Sequence, residues 1–259
     1  QIPVPPSDEH PIVGITWYDA VKWCNALSEM ENRVPVYYLD DEHTQIYRTQ
    51  QAVLATSNVK WDANGYRLPT EAEWEKAARG GLAGKHYPHG DSVDNKTAYY
   101  DKGVGKTTAV GSYPANDYGL HDMAGNVWEI CWDWYLKDWY SQPGALAKNP
   151  RGPDVDSLNN LIRIVRGGSG ASDANRLKVH YRRDFNLTWS QYLIGFRTVI
   201  SEPPSTPAID ITALSTPVHL GTVSGGGIFP NGQEVSLVAK PTAGGEFLRW
   251  STGEATQVI

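Results

Sequence analysis

The segment GYRLPTEAEWEKAARGG, residues 65–81, spells out both ends of a short helix and so fixes one element of the fold locally. Thr70 and Glu73 form a capping box, and Glu71 adds negative charge where the helix dipole is positive. Trp74, Ala77 and Ala78 line one face, Lys76 and Arg79 lie near the end, and Gly80-Gly81 provides a left-handed stop. A second helix is predicted from a Thr16 cap to about Glu29. Val21, Cys24 and Leu27 recur there at helical spacing beside Ala20, with Asp19, Lys22 and Asn25 on the polar side.

Little else carries a sustained period. Residues 34–48 alternate β-like pieces (Val34, Val36, Tyr38; Ile46, Tyr47) around Asp40-Asp41-Glu42, which predicts a surface hairpin. Residues 82–120 are rich in Gly, Asp, Asn, Tyr and Pro and read as long loops, the kind of segment that carries function. The runs LIRIVRGGS (161–169) and LIGFRTV (193–199) read as strands bracketing a polar stretch, 170–192. Ten Trp and 14 Tyr against four Phe predict an interior of aromatics with polar handles, each needing a hydrogen-bond partner. The composition then changes: 201–215 reads as a Pro/Ser/Thr linker, and 216–259 as a second, small all-β unit.

Several classes are excluded. A net charge of −6 without a Lys/Arg run offers no footprint for nucleic acid. No 18-residue apolar stretch exists to span a membrane, and QIPVPPSDEHP has neither the basic nor the apolar region of a signal peptide, so the sequence reads as a fragment or mature segment. Cys24 and Cys131 have no metal-type spacing; pairing with each other and separate burial as thiols are both open.

Four motifs in order resemble the formylglycine-generating-enzyme (sulfatase-modifying-factor) family: VGITWYDAVKWCNALSE at 13–29, GYRLPTEAEWEKAARGG at 65–81, YGLHDMAGNVWEICWDWY at 118–135, and RIVRGGS with IGFRTV at 163–169 and 194–199. The resemblance spans almost all of residues 12–200, and residues 1–200 are taken as one domain of that family. It implies an α+β, C-type-lectin-like fold: two helices, a small twisted antiparallel sheet and long loops. The family's opening strand is not found ahead of the first motif, which implies that the sequence begins inside the domain. The tail GTVSGGGIFPNGQEVSLVAKPTAGGEFLRW, 221–250, resembles a bacterial internalin B-type surface repeat, which implies export and an extracellular or cell-surface location.

In the family's enzymes two cysteines shortly after the GGS motif bind copper, because soft thiolates hold Cu(I). Those places fall here on Ser172 and Leu177, so no copper is expected and formylglycine synthesis is not. A sulfoxide-forming branch of the superfamily uses histidines on an additional helical domain that this sequence lacks. His86, His89 and Asp91 share a loop that reads better as solvated than as a metal site. A calcium site is implied at HDMAGNVWE: carboxylates of Asp122 and Glu129, carbonyls of Gly125 and Val127. The competing reading has Asp122 capping a turn and Glu129 pairing with Arg166 or Arg197.

The candidate ligand face is Ser172, Asp173, Asn175, Arg176, His180, Arg182, Asp184, Trp189 and Tyr192, a mixture with the Trp, Tyr and Arg typical of interfaces. Family enzymes have an aromatic after GGS; Gly170 in its place is expected to open the pocket. The function expected is a secreted or surface-attached, calcium-stabilised module that binds a protein or glycan through loops 82–120 and the face 170–192. An enzyme of the same family with another oxidation or maturation reaction, and a structural spacer, are the alternatives.

Overall fold

Thr16, in extended conformation, opens helix α1 (Trp17–Met30). Its hydroxyl accepts from the Asp19 amide, and the Asp19 carboxylate accepts from the Thr16 amide, a reciprocal box that satisfies two otherwise unpaired donors. The computed structural model describes residues 9–154, 161–201, 208–211, 221–224, 227–230 and 236–243. Helix α2 (Glu71–Arg79) has the same device in Thr70 and Glu73, and Gly80 ends it at φ 55°.

Asn25 is not on a polar face as its type predicted. It is buried, and its amide makes four hydrogen bonds: to the carbonyls of Tyr37 and Tyr47, and from the amides of Val36 and Tyr37. That uses an amide group's two donor protons and both acceptor lone pairs. The 34–48 segment does double back, with Tyr38 bridged to Ile46, but Val36, Tyr37 and Tyr47 are wholly buried. It is a wall of the core, because α1 satisfies its backbone.

The main sheet has the order β4 (Arg183–Asn186), β3 (Ile162–Arg166), β2 (Trp128–Trp134), β5 (Ile194–Gly195). β2–β3 and β3–β4 are antiparallel, whereas β5 runs parallel to β2, so the sheet is mixed rather than wholly antiparallel. β1 (Tyr66–Arg67) and β6 (Val199–Ile200) form a separate antiparallel pair. Every residue of β2 is buried, and alternation sorts them. Trp128, Ile130, Trp132 and Trp134 join the large core under α1; Cys131 joins the smaller cluster with Trp74, Ile164 and Val179 under α2. Glu129 and Asp133 therefore point toward α2. Glu129 accepts from the Trp74 indole, and Asp133 accepts from the first helical amide, Glu71, at 2.6 Å. Two strand carboxylates seat the helix, one at its N-terminus, where the dipole favours negative charge.

On the α1 side Arg163 is fully buried, 3.5 Å from the Trp134 ring centroid and 4.2 Å from that of Trp17. Burial pushes its guanidinium down to about 9, so it remains charged at neutral pH. Three of the expected indole donors, on Trp17, Trp132 and Trp134, find no acceptor among the described residues. The rings around Arg163 face a cation instead.

The chain divides into two units, residues 1–201 and 202–259. In the second, β7 (Ala208–Ile211) pairs with β9 (Gly227–Pro230), and β8 (Gly221–Ser224) with β10 (Val238–Pro241), both antiparallel. The span 201–215 is thus not all linker: Ala208-Ile209-Asp210-Ile211 forms a strand whose β-branched residues are flanked by Pro and Ser in the sequence. Of the expected repeat, Val235 and residues 244–259 lie outside the described residues.

Candidate functional site

Two consecutive left-handed glycines, Gly167 (φ 90°) and Gly168 (φ 77°), carry the chain off β3. A Cβ on Gly168 would meet Leu177 at 2.7 Å, so glycine permits the close approach of the following short 3-10 helix, Ala174–Leu177. The Asp173 carboxylate accepts from the Arg176 amide and caps that helix. Leu177 is thereby driven into the interior, whereas Arg176 stays exposed.

The turn closes on itself through two hydroxyls. Ser172 Oγ accepts from the Ser169 amide at 2.9 Å, the two Oγ atoms are 3.2 Å apart, and Ser169 Oγ accepts from the Ala171 amide. Above it lies a cavity of about 280 Å³. Ser169, Ala171, Ser172 and Arg176 form one wall; Trp128 and Arg183 of the sheet form another; Gln191, Tyr192, Leu193 and Ile194, with Val104 from the long loops, complete it.

Of the expected ligand face, Ser172, Arg176 and Tyr192 thus share one cavity. The others go elsewhere. Arg182 donates to both oxygens of Glu71 at 2.7 and 3.0 Å and to the carbonyls of Leu136 and Lys137, which makes it part of the α2 anchor. Glu71, expected as negative charge at the helix start, is buried and also lies 3.6 Å from Arg166. His180 is exposed with its ring 5.8 Å from that of His86. Asn175, Asp184 and Trp189 are exposed and do not line the cavity. Arg183, Trp128 and Ser169 were not anticipated. No local signal marks Arg183, because which side of β4 it faces follows from the pairing of that strand with β3.

Gly170 does not open the pocket. Its position is filled by the Tyr99 ring and the Lys106 carbonyl, each within 3 Å of where a Cβ would sit, so an aromatic could not be accommodated.

At HDMAGNVWE the structure has Glu129 held by an arginine. Both carboxylate oxygens accept from Arg197 at 2.6 Å, and Trp74 donates to one of them. Asp122, at φ 57°, accepts from the Gly111 amide, and burial raises its pKa. As arranged, these groups do not offer calcium a second open carboxylate beside Asp122. Among the described residues no three His, Cys, Asp or Glu side chains are grouped to hold a metal; Asp91 is paired with Lys85. Cys24 and Cys131 are separate, unpaired and fully buried, in different clusters.

A mixed sheet gripped by two capped helices, with a pocket built on a Gly-Gly-Ser turn and long loops, defines a sulfatase-modifying-factor type of scaffold. The chain belongs to the family of sulfatase-modifying factor enzyme 1-like domains, whose model matches residues 2–202. It is 33% identical over 220 residues to the chaperone protein LppX of Paenibacillus barcinonensis, covering 75% of this chain and 71% of that protein. It is 37% identical over 151 residues to the formylglycine-generating enzyme of Thermomonospora curvata, covering 51% of this chain and 48% of the enzyme. Similarity to the serine/threonine-protein kinase pkn1 of Chlamydia pneumoniae, 34% over 189 residues and 73% of this chain, spans only 24% of that protein. Among solved structures, Treponema denticola variable protein 1 superposes with a TM-score of 0.62 at 28% identity, covering 78% of this chain and 76% of that one.

Proposed function

We propose that this domain is a binding module of its family, which holds a protein or glycan ligand in the pocket above the Gly-Gly-Ser turn. One observation carries the reading. Where the resemblance calls for two metal-binding thiols there are Ser172, a hydroxyl in the pocket wall, and Leu177, an alkyl side chain packed away beneath it. Among the described residues, the pocket lining contains no sulfur. The similarity to a chaperone protein and to a variable protein is in keeping with recognition as the scaffold's role.

The proposal includes action outside the cell, on the strength of the resemblance of the tail to surface repeats. Calcium is a separable part of it. Asp122 and the carbonyls of Gly125 and Val127 would contribute oxygens, and Glu129 would join them only by releasing Arg197. Thermal unfolding with added calcium and with EDTA tests this part alone.

The main test is capture of ligand on a glycan array and by cross-linking to secreted proteins, with Tyr192→Ala and Arg176→Ala in parallel. Both changes are expected to reduce capture at least tenfold without lowering the unfolding midpoint. Capture indifferent to both would move the site elsewhere. Copper-dependent oxygen consumption with a cysteine-containing peptide would overturn the reading.

A further inference from the structure

We infer that the pocket selects the C-terminal carboxylate of a peptide that ends in an apolar side chain. This rests on the reading that the pocket is a binding site, and it specifies what the pocket takes.

The charge comes first. Among the described residues, two arginines line the cavity and no Asp or Glu does. Arg183 is half-buried with its guanidinium 5.2 Å from the Trp128 ring centroid, and among the described residues it has neither a carboxylate nor a hydrogen-bond partner. Arg67, Arg79, Arg166, Arg182 and Arg197 all pair with glutamates. Arg176 has only Asp173, 3.9 Å away, with both side chains more than half exposed. A guanidinium oriented by an aromatic face and left without an anion is disposed to take a carboxylate with paired hydrogen bonds.

The hydroxyls add a donor. Ser169 and Ser172 bring two O–H protons, their amide contacts use them only as acceptors, and the contact between them consumes one proton. The second is available to a ligand oxygen.

The apolar walls decide the rest. Trp128, Leu193, Ile194, Ala171 and Val104 surround the polar floor. A sugar acid would place its hydroxyls against these carbons, leaving desolvated polar groups unmatched. A terminal apolar residue presents hydrocarbon to them and its carboxylate to the arginines. The cavity, at about 280 Å³, lies just below the range of about 300–1,000 Å³ for drug-sized ligands. It suits one end residue rather than a strand.

The probes are N-acetyl-leucine, its amide, and glucuronate, titrated into the whole chain while Trp128 and Arg183 side-chain NMR signals are followed. N-acetyl-leucine is expected to shift both signals saturably, with at least tenfold weaker binding by the amide. Arg183→Gln should lose the acid by a similar factor, and Arg183→Lys should recover part of it. If acid and amide bind alike, the carboxylate inference falls and the pocket remains a binding site. If glucuronate binds and N-acetyl-leucine does not, the inference falls in favour of acidic glycans. If no probe binds, it falls as well, whereas the broader reading is tested separately, by the ligand capture with the Tyr192 and Arg176 variants described above. The comparison of acid with amide needs no variant, so a misfolded Arg183→Gln does not rescue the idea.

Discussion

Arg197, two residues beyond β5, grips Glu129 on β2 with two hydrogen bonds of 2.6 Å, and Trp74 of α2 donates to the same carboxylate. One carboxylate so ties the parallel edge of the sheet to the helix. Removing it strands a largely buried guanidinium and an indole donor at once. Glu129→Ala is therefore expected to cost about 3–4 kcal/mol in urea unfolding, in the range for breaking a buried pair. Glu129→Gln should recover little, because its amide turns a donor toward Arg197. A loss below about 1 kcal/mol would mean that Arg197 is not anchored there.

Asp133 gives the fold a pH dependence of unusual sign. Burial, and then the nearby charge of Glu71, raise its pKa from 3.8 to about 7. Between those values the folded chain keeps a proton that the unfolded chain has lost. The stability Asp133 contributes is thus fully present below about pH 4 and is lost as pH rises through about 7. Carboxylates such as Glu73, lowered overall despite burial by its bond to Arg67, slope the opposite way, so the difference from Asp133→Asn is the quantity to measure. Wild type is expected to lose ground to that variant from pH 4 to pH 7.5. Parallel stability curves would show that Asp133 is ionised throughout.

Both helices were legible because their ends are local: Thr16 with Asp19 and Thr70 with Glu73 are three residues apart, and Gly80 follows directly. Residues whose partners are distant in sequence were not. Asn25 looked solvent-facing because its type is polar, yet its four partners lie 11 to 22 residues away. Glu71 looked like a dipole charge, yet Arg182 lies 111 residues on. In the pocket, Ser172, Arg176 and Tyr192 could be anticipated from one segment, whereas Trp128 and Arg183 required the register of the sheet. The parallel placement of β5 has no signature in a two-residue strand.

Asn25 supplies a direct check on that long-range satisfaction. Asn25→Ala leaves the buried amides of Val36 and Tyr37 and the carbonyl of Tyr47 without that partner, while the Tyr37 carbonyl still accepts from the Tyr47 amide. Each unsatisfied buried group costs roughly 1–3 kcal/mol. The variant is expected to lose at least about 3 kcal/mol. Exchange of the Val36 and Tyr37 amides should accelerate more than that of β3 amides, which hydrogen exchange with NMR detection would resolve. Uniform acceleration would indicate global loss only.

The cysteines bear on function most directly. Cys24 and Cys131 are wholly buried, and burial pushes both thiols above their ordinary range. Thiolate is the reactive form. Neither is expected to react with a thiol reagent in the native state, and both should react in denaturant. Ser172→Cys should add one native-state thiol that reacts through the pocket, more slowly than an exposed thiol because the position is buried. Adding Leu177→Cys should not add a second. Leu177 is fully buried against Gly168, and its truncation costs about 2–4 kcal/mol of packing. A count of one added native thiol in the double variant would mean that position 177 stays closed to the reagent. A count of two would mean that the 3-10 helix can turn that side chain outward.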